Sequence, residues 1–179
     1  MMSQNGWPVL PTNRTSGALP RLRKWTVPGT GRHLYLRDGS AGFLLVFIAL
    51  WWHERIERLD VGVWDEWGWN YRPVRGSSSV MSNHSSGTAI DLNATRHPLG
   101  RRFTMSNAVH YVRIRALLAG RLRGAIRWGG DYQNRADEMH FELVKGLSDC
   151  EALARKLAAT PRGRRILAAN PGAGEVIHS

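Results

Sequence analysis

The sequence predicts an α+β fold, in which helices cover a small sheet of short strands. A long apolar helical pattern begins near residue 41, and two short segments alternate between apolar and polar residues. The chain of 179 residues is long enough for one domain with a hydrophobic core. We therefore expect one globular unit over residues 41–168, a loop-rich N-terminal segment over 1–40 and a flexible tail over 169–179.

The N-terminal segment is rich in Gly, Pro, Thr and Arg and shows little periodicity, which predicts extended structure. A helix should follow, because apolar residues recur at helical spacing at Leu45, Ile48, Ala49, Trp52, Ile56 and Leu59. The first half of this helix is apolar nearly all round, so we expect it in the core. Its second half offers Glu54 and Arg58 as an i,i+4 ion pair.

The middle of the chain alternates loops with short elements. Residues 61–75 are predicted to form a strand or a loop, and the Ser-rich residues 76–86 are predicted to form a loop. Residues 88–93 predict a strand with Asp91 on one face and Ile90 and Leu92 on the core face. Ser106 is a candidate cap for a helix that continues to about Arg123.

The last third begins with a turn over residues 128–131, where two glycines follow Trp128. Residues 139–144 predict a strand that carries His140 and Glu142 on one face and Phe141 on the other. A basic helix is expected over residues 150–168.

Charge and cysteine content restrict the class of protein. Lys and Arg number 25 against 14 Asp and Glu, so the net charge of +11 should attract polyanions: nucleic acid, anionic lipid or an acidic cell wall. Eight arginines and no acid lie between Arg96 and Arg127, which fits either a solvated surface or adhesion to an anionic wall polymer. Cys150 is the only cysteine, which excludes a Cys-rich zinc site.

The longest apolar run, residues 41–52, is shorter than the roughly 20 residues that span a bilayer. It also lies too far from the N-terminus for a secretory signal. We expect a protein without a transmembrane segment, made in a cytoplasm without an export signal of its own.

Two segments combine histidine with carboxylate. The first runs from Ser82 through His84 to Asp91, and the second runs from Asp137 through His140 to Glu142. Two imidazoles and one carboxylate can hold zinc and leave a fourth position open for water, as catalytic zinc requires. A nearby carboxylate that is not a ligand could then act as a base. The spacing of seven from His84 to Asp91 is by itself a weak signal.

The two segments together are more specific. His-x-x-Gly-x-Ala-x-Asp followed by Asp-x-x-His-Phe-Glu resembles the paired signature of the D-alanyl-D-alanine carboxypeptidase and L-alanyl-D-glutamate endolysin metallopeptidases, over about residues 40–145. This family shares its zinc-site architecture with lysostaphin-type enzymes and the hedgehog signalling domain. The resemblance implies an antiparallel sheet that carries zinc on one face, with His84, Asp91 and His140 as ligands and Asp137 as the catalytic base.

The resemblance also implies substrate contacts. Asn70-Tyr71-Arg72-Pro73 is similar to the family's Gly-Tyr-Arg-Ser segment, whose arginine binds substrate and stabilises the oxyanion, so Arg72 inherits that role. Ser82 matches a serine that touches substrate. Asn70 and Pro73 depart from the pattern, and Tyr132 stands where many relatives have tryptophan.

The implied function is a zinc-dependent peptidoglycan peptidase of the endolysin type, which hydrolyses a stem-peptide amide such as L-Ala-D-Glu. Residues 5–9, Asn-Gly-Trp-Pro-Val, resemble a phrase from phage lysins and favour this reading. The expected partners are bacterial peptidoglycan and anionic wall polymers, with no nucleic acid, and the enzyme is expected to be a monomer that reaches the wall after release from the host cytoplasm.

Two alternatives stay open. One is a D-alanyl-D-alanine carboxypeptidase or dipeptidase with the same metal site. The other is a non-catalytic module that binds cell wall or nucleic acid through its charge, although a pure binder has no need for Asp137 beside a metal.

The remaining histidines and acids have simpler interpretations. We expect solvated or helix-face positions for His33, His53, His97, His110 and His178. Glu142 could orient His140 or form an ordinary surface salt bridge. Glu138 should point away from Asp137, towards solvent.

Overall fold

The computed structural model describes residues 1–10 and 21–178 and shows the predicted α+β fold. The strands are β1 (Leu22–Thr26), β2 (His33–Arg37), β3 (Ala89–Asp91), β4 (Ile126–Trp128) and β5 (His140–Leu143). The helices are α1 (Ser40–Arg55), α2 (Val109–Ala119), α3 (Leu147–Ala158), α4 (Pro161–Ala169) and α5 (Ala173–His178).

Helix α1 lies at the centre of the core. Its residues from Ser40 to Trp52 are all buried, because the β1–β2 hairpin, β5, α3, α4 and α5 pack around it. This arrangement explains why the first half of α1 is apolar on every side.

The polar end of α1 differs from the prediction. The predicted ion pair between Glu54 and Arg58 does not form, because the helix ends at Arg55. Arg58 bonds to Asp60 at 2.5 Å instead. Glu54 pairs with Arg162 at 2.6 Å and Arg165 at 2.5 Å, both on α4. Glu54 therefore helps to hold α4 against α1.

The sheet that carries the predicted site has the antiparallel order β3-β5-β4. Asp91 lies opposite His140, and Ile90 lies opposite Phe141. Since strand side chains alternate, Asp91 and His140 share one face, while Ile90 and Phe141 share the other and are fully buried in the core. The backbone of Trp67 bonds to that of Asp91 at 3.0 and 2.8 Å, which extends the sheet beyond β3.

Other elements refine the sequence-based prediction. The segment 1–40 contains β1 and β2, and the predicted tail contains α5. The predicted helix over 150–168 is two helices, because Pro161 follows the end of α3 and Thr160 caps α4 by accepting a hydrogen bond from the Gly163 N–H at 3.1 Å. Ser106 does not cap α2, which begins at Val109. In the described part of the chain, every helix is too short or too polar to cross a bilayer.

Candidate metal centre and catalytic cleft

His84 is placed by a tight 3₁₀ turn over Asn83–Ser86. The Ser82 hydroxyl caps this turn by accepting a hydrogen bond from the His84 N–H at 3.3 Å. Gly87 ends the turn with a φ of 67°, and a Cβ there would lie 2.5 Å from the Arg37 backbone nitrogen. The glycine of the His-x-x-Gly motif is therefore needed for both backbone conformation and close packing.

The fold brings His84, Asp91 and His140 together, with one candidate ligand atom from each within 4.8 Å of the others. His140 Nδ1 lies 2.8 Å from Asp91 Oδ1, and His84 Nε2 lies 3.4 Å from Asp91 Oδ2. The two ring nitrogens are 3.3 Å apart. His84 Nδ1 bonds to the Gly68 carbonyl at 2.6 Å, which fixes the ring so that Nε2 faces the cluster.

This donor set fits zinc. Two imidazoles and one carboxylate are ligands that zinc accepts, and three protein ligands leave one position free for chemistry. Asp137 Oδ1 is buried, yet it has no hydrogen-bond partner among the described residues. Such an orphaned acceptor beside a triad suits a reacting group that is brought by substrate or water.

The charges of the cluster also favour a cation at its centre. Burial acts to raise the pKa of Asp91, but the charge of His84 and the hydrogen bond from His140 hold it well below its usual range. Burial acts to lower the pKa of His140, but the carboxylates of Asp91 and Glu142 raise it to about 10. The surroundings of the triad thus stabilise positive charge, from a proton or from a metal ion.

Glu142 lies behind His140 and connects several parts of the site. Its carboxylate faces His140 Nε2 at 3.2 Å and accepts hydrogen bonds from the Tyr132 hydroxyl at 2.6 Å and Arg127 Nε at 2.8 Å. It also accepts a hydrogen bond from the side chain of Asn83, beside His84. Glu142 is only 2% exposed, so it orients a candidate ligand and is not an ordinary surface salt bridge.

A cleft of about 690 Å³ contains the cluster, and Asp137, Arg72 and Ser82 all line it. Asp137 is held by the turn after β4: its N–H donates to the Gly129 carbonyl at 2.9 Å, and a Cβ on Gly129 would lie 2.5 Å from the Asp137 carbonyl oxygen. Burial raises the pKa of Asp137 to about 6.

The guanidinium of Arg72 bonds to the Pro73 carbonyl at 3.4 Å, and no carboxylate among the described residues pairs with it.

The prediction that Glu138 faces solvent is wrong. Glu138 is 2% exposed and accepts hydrogen bonds from the backbone of Phe103 at 2.7 Å and Thr104 at 3.0 Å. It does point away from Asp137, but the loop before α2 covers that side, which alternation along a strand cannot reveal. His97 is also fully buried, with Nδ1 2.7 Å from the Thr104 hydroxyl.

Several contributors to the site were not singled out from the sequence as site residues. Tyr132, Arg127 and Asn83 all reach Glu142. Asn5, the first residue of the lysin-like segment 5–9, donates its backbone N–H to Asn83 Oδ1 at 2.9 Å. Two features of the sequence pointed to these residues: Tyr132 stands where many relatives have tryptophan, and residues 5–9 resemble a segment of phage lysins.

Comparison with known proteins agrees with this geometry. Residues 75–143 match the family model of the M15 peptidases described as D-alanyl-D-alanine carboxypeptidase. The matched segment contains His84, Asp91, Asp137 and His140, while Arg72 lies just outside it. The segment that holds the cluster, less than half of the chain, is thus similar to the family that the motifs were predicted to resemble. No curated protein and no solved structure matches the chain significantly.

Proposed function

We propose that this chain is a zinc-dependent peptidoglycan peptidase of the endolysin type, with zinc held by His84, Asp91 and His140. The observation that carries the proposal is the three-ligand cluster with a fourth side open to a cleft that also contains Asp137. The matched family supports the class of enzyme.

The roles of the residues follow from their positions. Bound zinc would supply Lewis-acid polarisation of the scissile carbonyl and of the attacking water. Asp137 accepts the proton of that water and delivers it to the leaving amine, so that a C–O bond forms as the amide C–N bond breaks. Arg72 donates hydrogen bonds to the oxyanion, and Ser82 holds the turn that presents His84.

The shape and charge of the cleft support an internal bond of a wall peptide as the substrate. Its walls include residues from the 67–75 segment, which pairs with β3, and from residues 127–135, which begin in β4, so both edges of the sheet contribute to the cleft. Four arginines line it: Arg72, Arg75, Arg127 and Arg135. Stem peptides carry carboxylates, which Arg72, Arg75 and Arg135 can bind, whereas Arg127 is bonded to Glu142.

The main alternative within the same class is a D-alanyl-D-alanine carboxypeptidase or dipeptidase, the activity that the matched family model describes. Such an enzyme requires the free terminal carboxylate of its substrate. Purified peptidoglycan should be incubated with the protein and the new chain ends identified by mass spectrometry. New amino termini within the stem peptide support the endolysin, release of terminal D-alanine supports the carboxypeptidase, and intact peptides contradict both.

We also expect one zinc per chain. His84→Ala and His140→Ala should each abolish stoichiometric binding, because two protein ligands remain on a site that is already open. His53→Ala, which removes a histidine outside the cluster, is the control and should keep the metal. Elemental analysis after dialysis measures the difference, and full zinc content in both ligand variants would disprove the assignment.

A further inference from the structure

A second cavity, of about 270 Å³, adjoins the catalytic cleft. We call it the aromatic groove, because five of the residues that line it are aromatic: His33, Tyr35, Trp64, Trp67 and Trp69. Three of these rings reach solvent: Tyr35 is 38% exposed, Trp64 44% and Trp67 52%. Large exposed rings that gather along one groove are typical of a binding surface.

The groove and the cleft share a thin wall, the backbone of residues 67–70. Trp67, Gly68 and Asn70 line both cavities. The Gly68 carbonyl accepts a hydrogen bond from His84 at 2.6 Å, whereas a Cβ on Gly68 would lie 2.4 Å from the Tyr35 carbonyl oxygen. The Trp69 N–H donates to that same oxygen at 2.7 Å. The two cavities are therefore adjacent, and a substrate long enough to pass over Trp67 and Asn70 would occupy both.

One polar group in the groove has an unfilled hydrogen-bonding capacity. The side chain of Glu66 is only 1% exposed, and neither of its oxygens has a hydrogen-bond partner among the described residues. Arg32 Nε lies 3.3 Å away, but its hydrogen bond goes to the Leu59 carbonyl at 2.7 Å. Burial, together with the neighbouring Asp65, raises the pKa of Glu66 to about 7. An acceptor buried without a donor is costly, and a donor brought by a ligand would remove that cost.

We propose that the aromatic groove binds a saccharide, namely the N-acetylated amino sugars of the glycan strand to which the stem peptide is attached. A sugar ring has an apolar C–H face, which can stack on the exposed rings of Trp64 and Tyr35, and a rim of O–H and N–H donors, which can bond to Glu66 once its buried side chain turns into the groove. The inference rests on the proposed function, because it extends the peptide substrate to the glycan that carries it.

The charges of the groove argue against two other ligands. An ammonium group would suit the rings and the carboxylate, but Arg32 already supplies a positive charge beside Glu66 and would repel it. Single-stranded nucleic acid also stacks on aromatic rings, but it needs a row of cationic side chains along its phosphates. None of the described residues that line the groove is Lys or Arg, and Arg32, which packs on the Trp64 ring, is already held by Glu66 and the Leu59 carbonyl. A neutral ligand rich in donors fits best.

The test uses a soluble tetramer of N-acetylglucosamine, which contains no peptide bond between residues and requires no zinc. Binding to the full chain is followed by calorimetry and by the indole N–H resonances in NMR spectra. We expect Trp64→Ala to weaken binding by roughly tenfold, as for loss of a central aromatic contact. Glu66→Gln should also weaken binding, because the amide is a poorer acceptor and brings donors of its own.

Phe103→Ala is the matched control, because Phe103 is an aromatic residue that is 83% exposed and lies outside the groove. It should bind the tetramer like the parent. Circular dichroism checks that each variant is folded, and Glu66→Gln tests the groove even if Trp64→Ala does not fold.

A second measurement separates this inference from the proposed function. Trp64→Ala should hydrolyse a soluble stem peptide as the parent does and should lose activity only on glycan-linked peptide, through a higher KM. Parent protein that cleaves the soluble peptide but does not bind the tetramer overturns the saccharide site alone. Lysine or an oligonucleotide that binds in the groove in place of the tetramer also overturns it. Failure to cleave any stem peptide contradicts the proposed function instead.

Discussion

Asp137 and Asp91 lie in the same cleft but have opposite surroundings. Asp91 is bonded to His140 and faces His84, which together keep its carboxylate ionised. Asp137 Oδ1 receives no hydrogen bond from any described residue, and burial raises the pKa of Asp137 to about 6. An ionised carboxylate suits a metal ligand, whereas a carboxylate with a raised pKa suits proton transfer near neutral pH.

Replacing Asp137 tests this division of roles. Asp137→Asn keeps the size of the side chain and removes the base, so the variant should fold and hold zinc but lose hydrolysis by roughly 10²–10⁴-fold. Turnover of a soluble stem peptide, normalised to zinc content, measures the effect.

Glu138 cannot serve as a neutral control, because its carboxylate binds the loop before α2. Asp149→Asn on the exposed side of α3 makes the same chemical change outside the cleft and should leave turnover unchanged. Near-parental turnover in Asp137→Asn would show that another group is the base.

Glu142 offers a second test at the scale of one residue. Glu142→Gln removes the negative charge that faces His140 and accepts hydrogen bonds from Arg127 and Tyr132. We expect zinc affinity to fall by about 10–100-fold, the usual effect of losing a partner of a metal-bound histidine. Competition with a chelator measures the affinity, and Glu175→Gln on the surface of α5 is the control. Unchanged affinity would mean that Glu142 serves only the packing of Tyr132 and Arg127.

The elements that the sequence predicts well are those whose pattern is local. Helix α1 follows from its unbroken apolar surface, and the facing of Asp91 and His140 follows from alternation on β3 and β5. The burial of Glu138 could not be predicted, because it depends on a loop more than 30 positions away in the sequence. The network around Glu142 is equally non-local, since Asn83 and Arg127 reach it from separate segments.

The N-terminal residues 3–8, which we call the N-terminal strap, illustrate the same limit. The Asn5 side chain donates to the Thr88 hydroxyl and the Leu143 carbonyl, both at 2.8 Å. Trp7 Nε1 donates to the Lys145 carbonyl at 3.1 Å. The strap therefore braces β3 and β5 at the ends nearest the turn that carries His84, although nothing in the local pattern of residues 3–8 indicates a partner.

We expect Asn5→Ala to destabilise the fold by about 1–3 kcal/mol, because it removes two hydrogen bonds and leaves the Leu143 carbonyl without that donor. Urea unfolding followed by tryptophan fluorescence measures the change. Gln4→Ala, at the neighbouring exposed position, should alter stability little. Equal stability of both variants would show that the strap rests on the domain without bracing it.

Among the described residues, eight acids pair with Arg or His, while several arginines are left unpaired on the surface. Asp38 binds Arg21 and Arg23, and Glu54 binds two arginines of α4. Within the Arg96–Arg127 stretch, the exposed residues Arg101, Arg102, Arg113, Arg121 and Arg123 form no ion pair with any described residue. Part of the stretch is thus structural, and part remains available to a polyanion.

This distribution leads to a prediction about salt. Wall polymers are polyanions, so the net charge of +11 should concentrate the enzyme on its substrate through long-range attraction. That attraction weakens as the Debye length falls from about 10 Å at 0.1 M salt to about 3 Å at 1 M. A short soluble stem peptide is held by direct contacts inside the cleft, so its hydrolysis should change little. We therefore expect added salt to slow the clearing of wall suspensions but not the release of peptide products.

The double variant Arg113→Gln, Arg121→Gln should show a smaller salt effect on walls and parental activity on the peptide, because both side chains lie outside the cleft. If walls and peptide respond equally to salt, the surface arginines have no adhesive role.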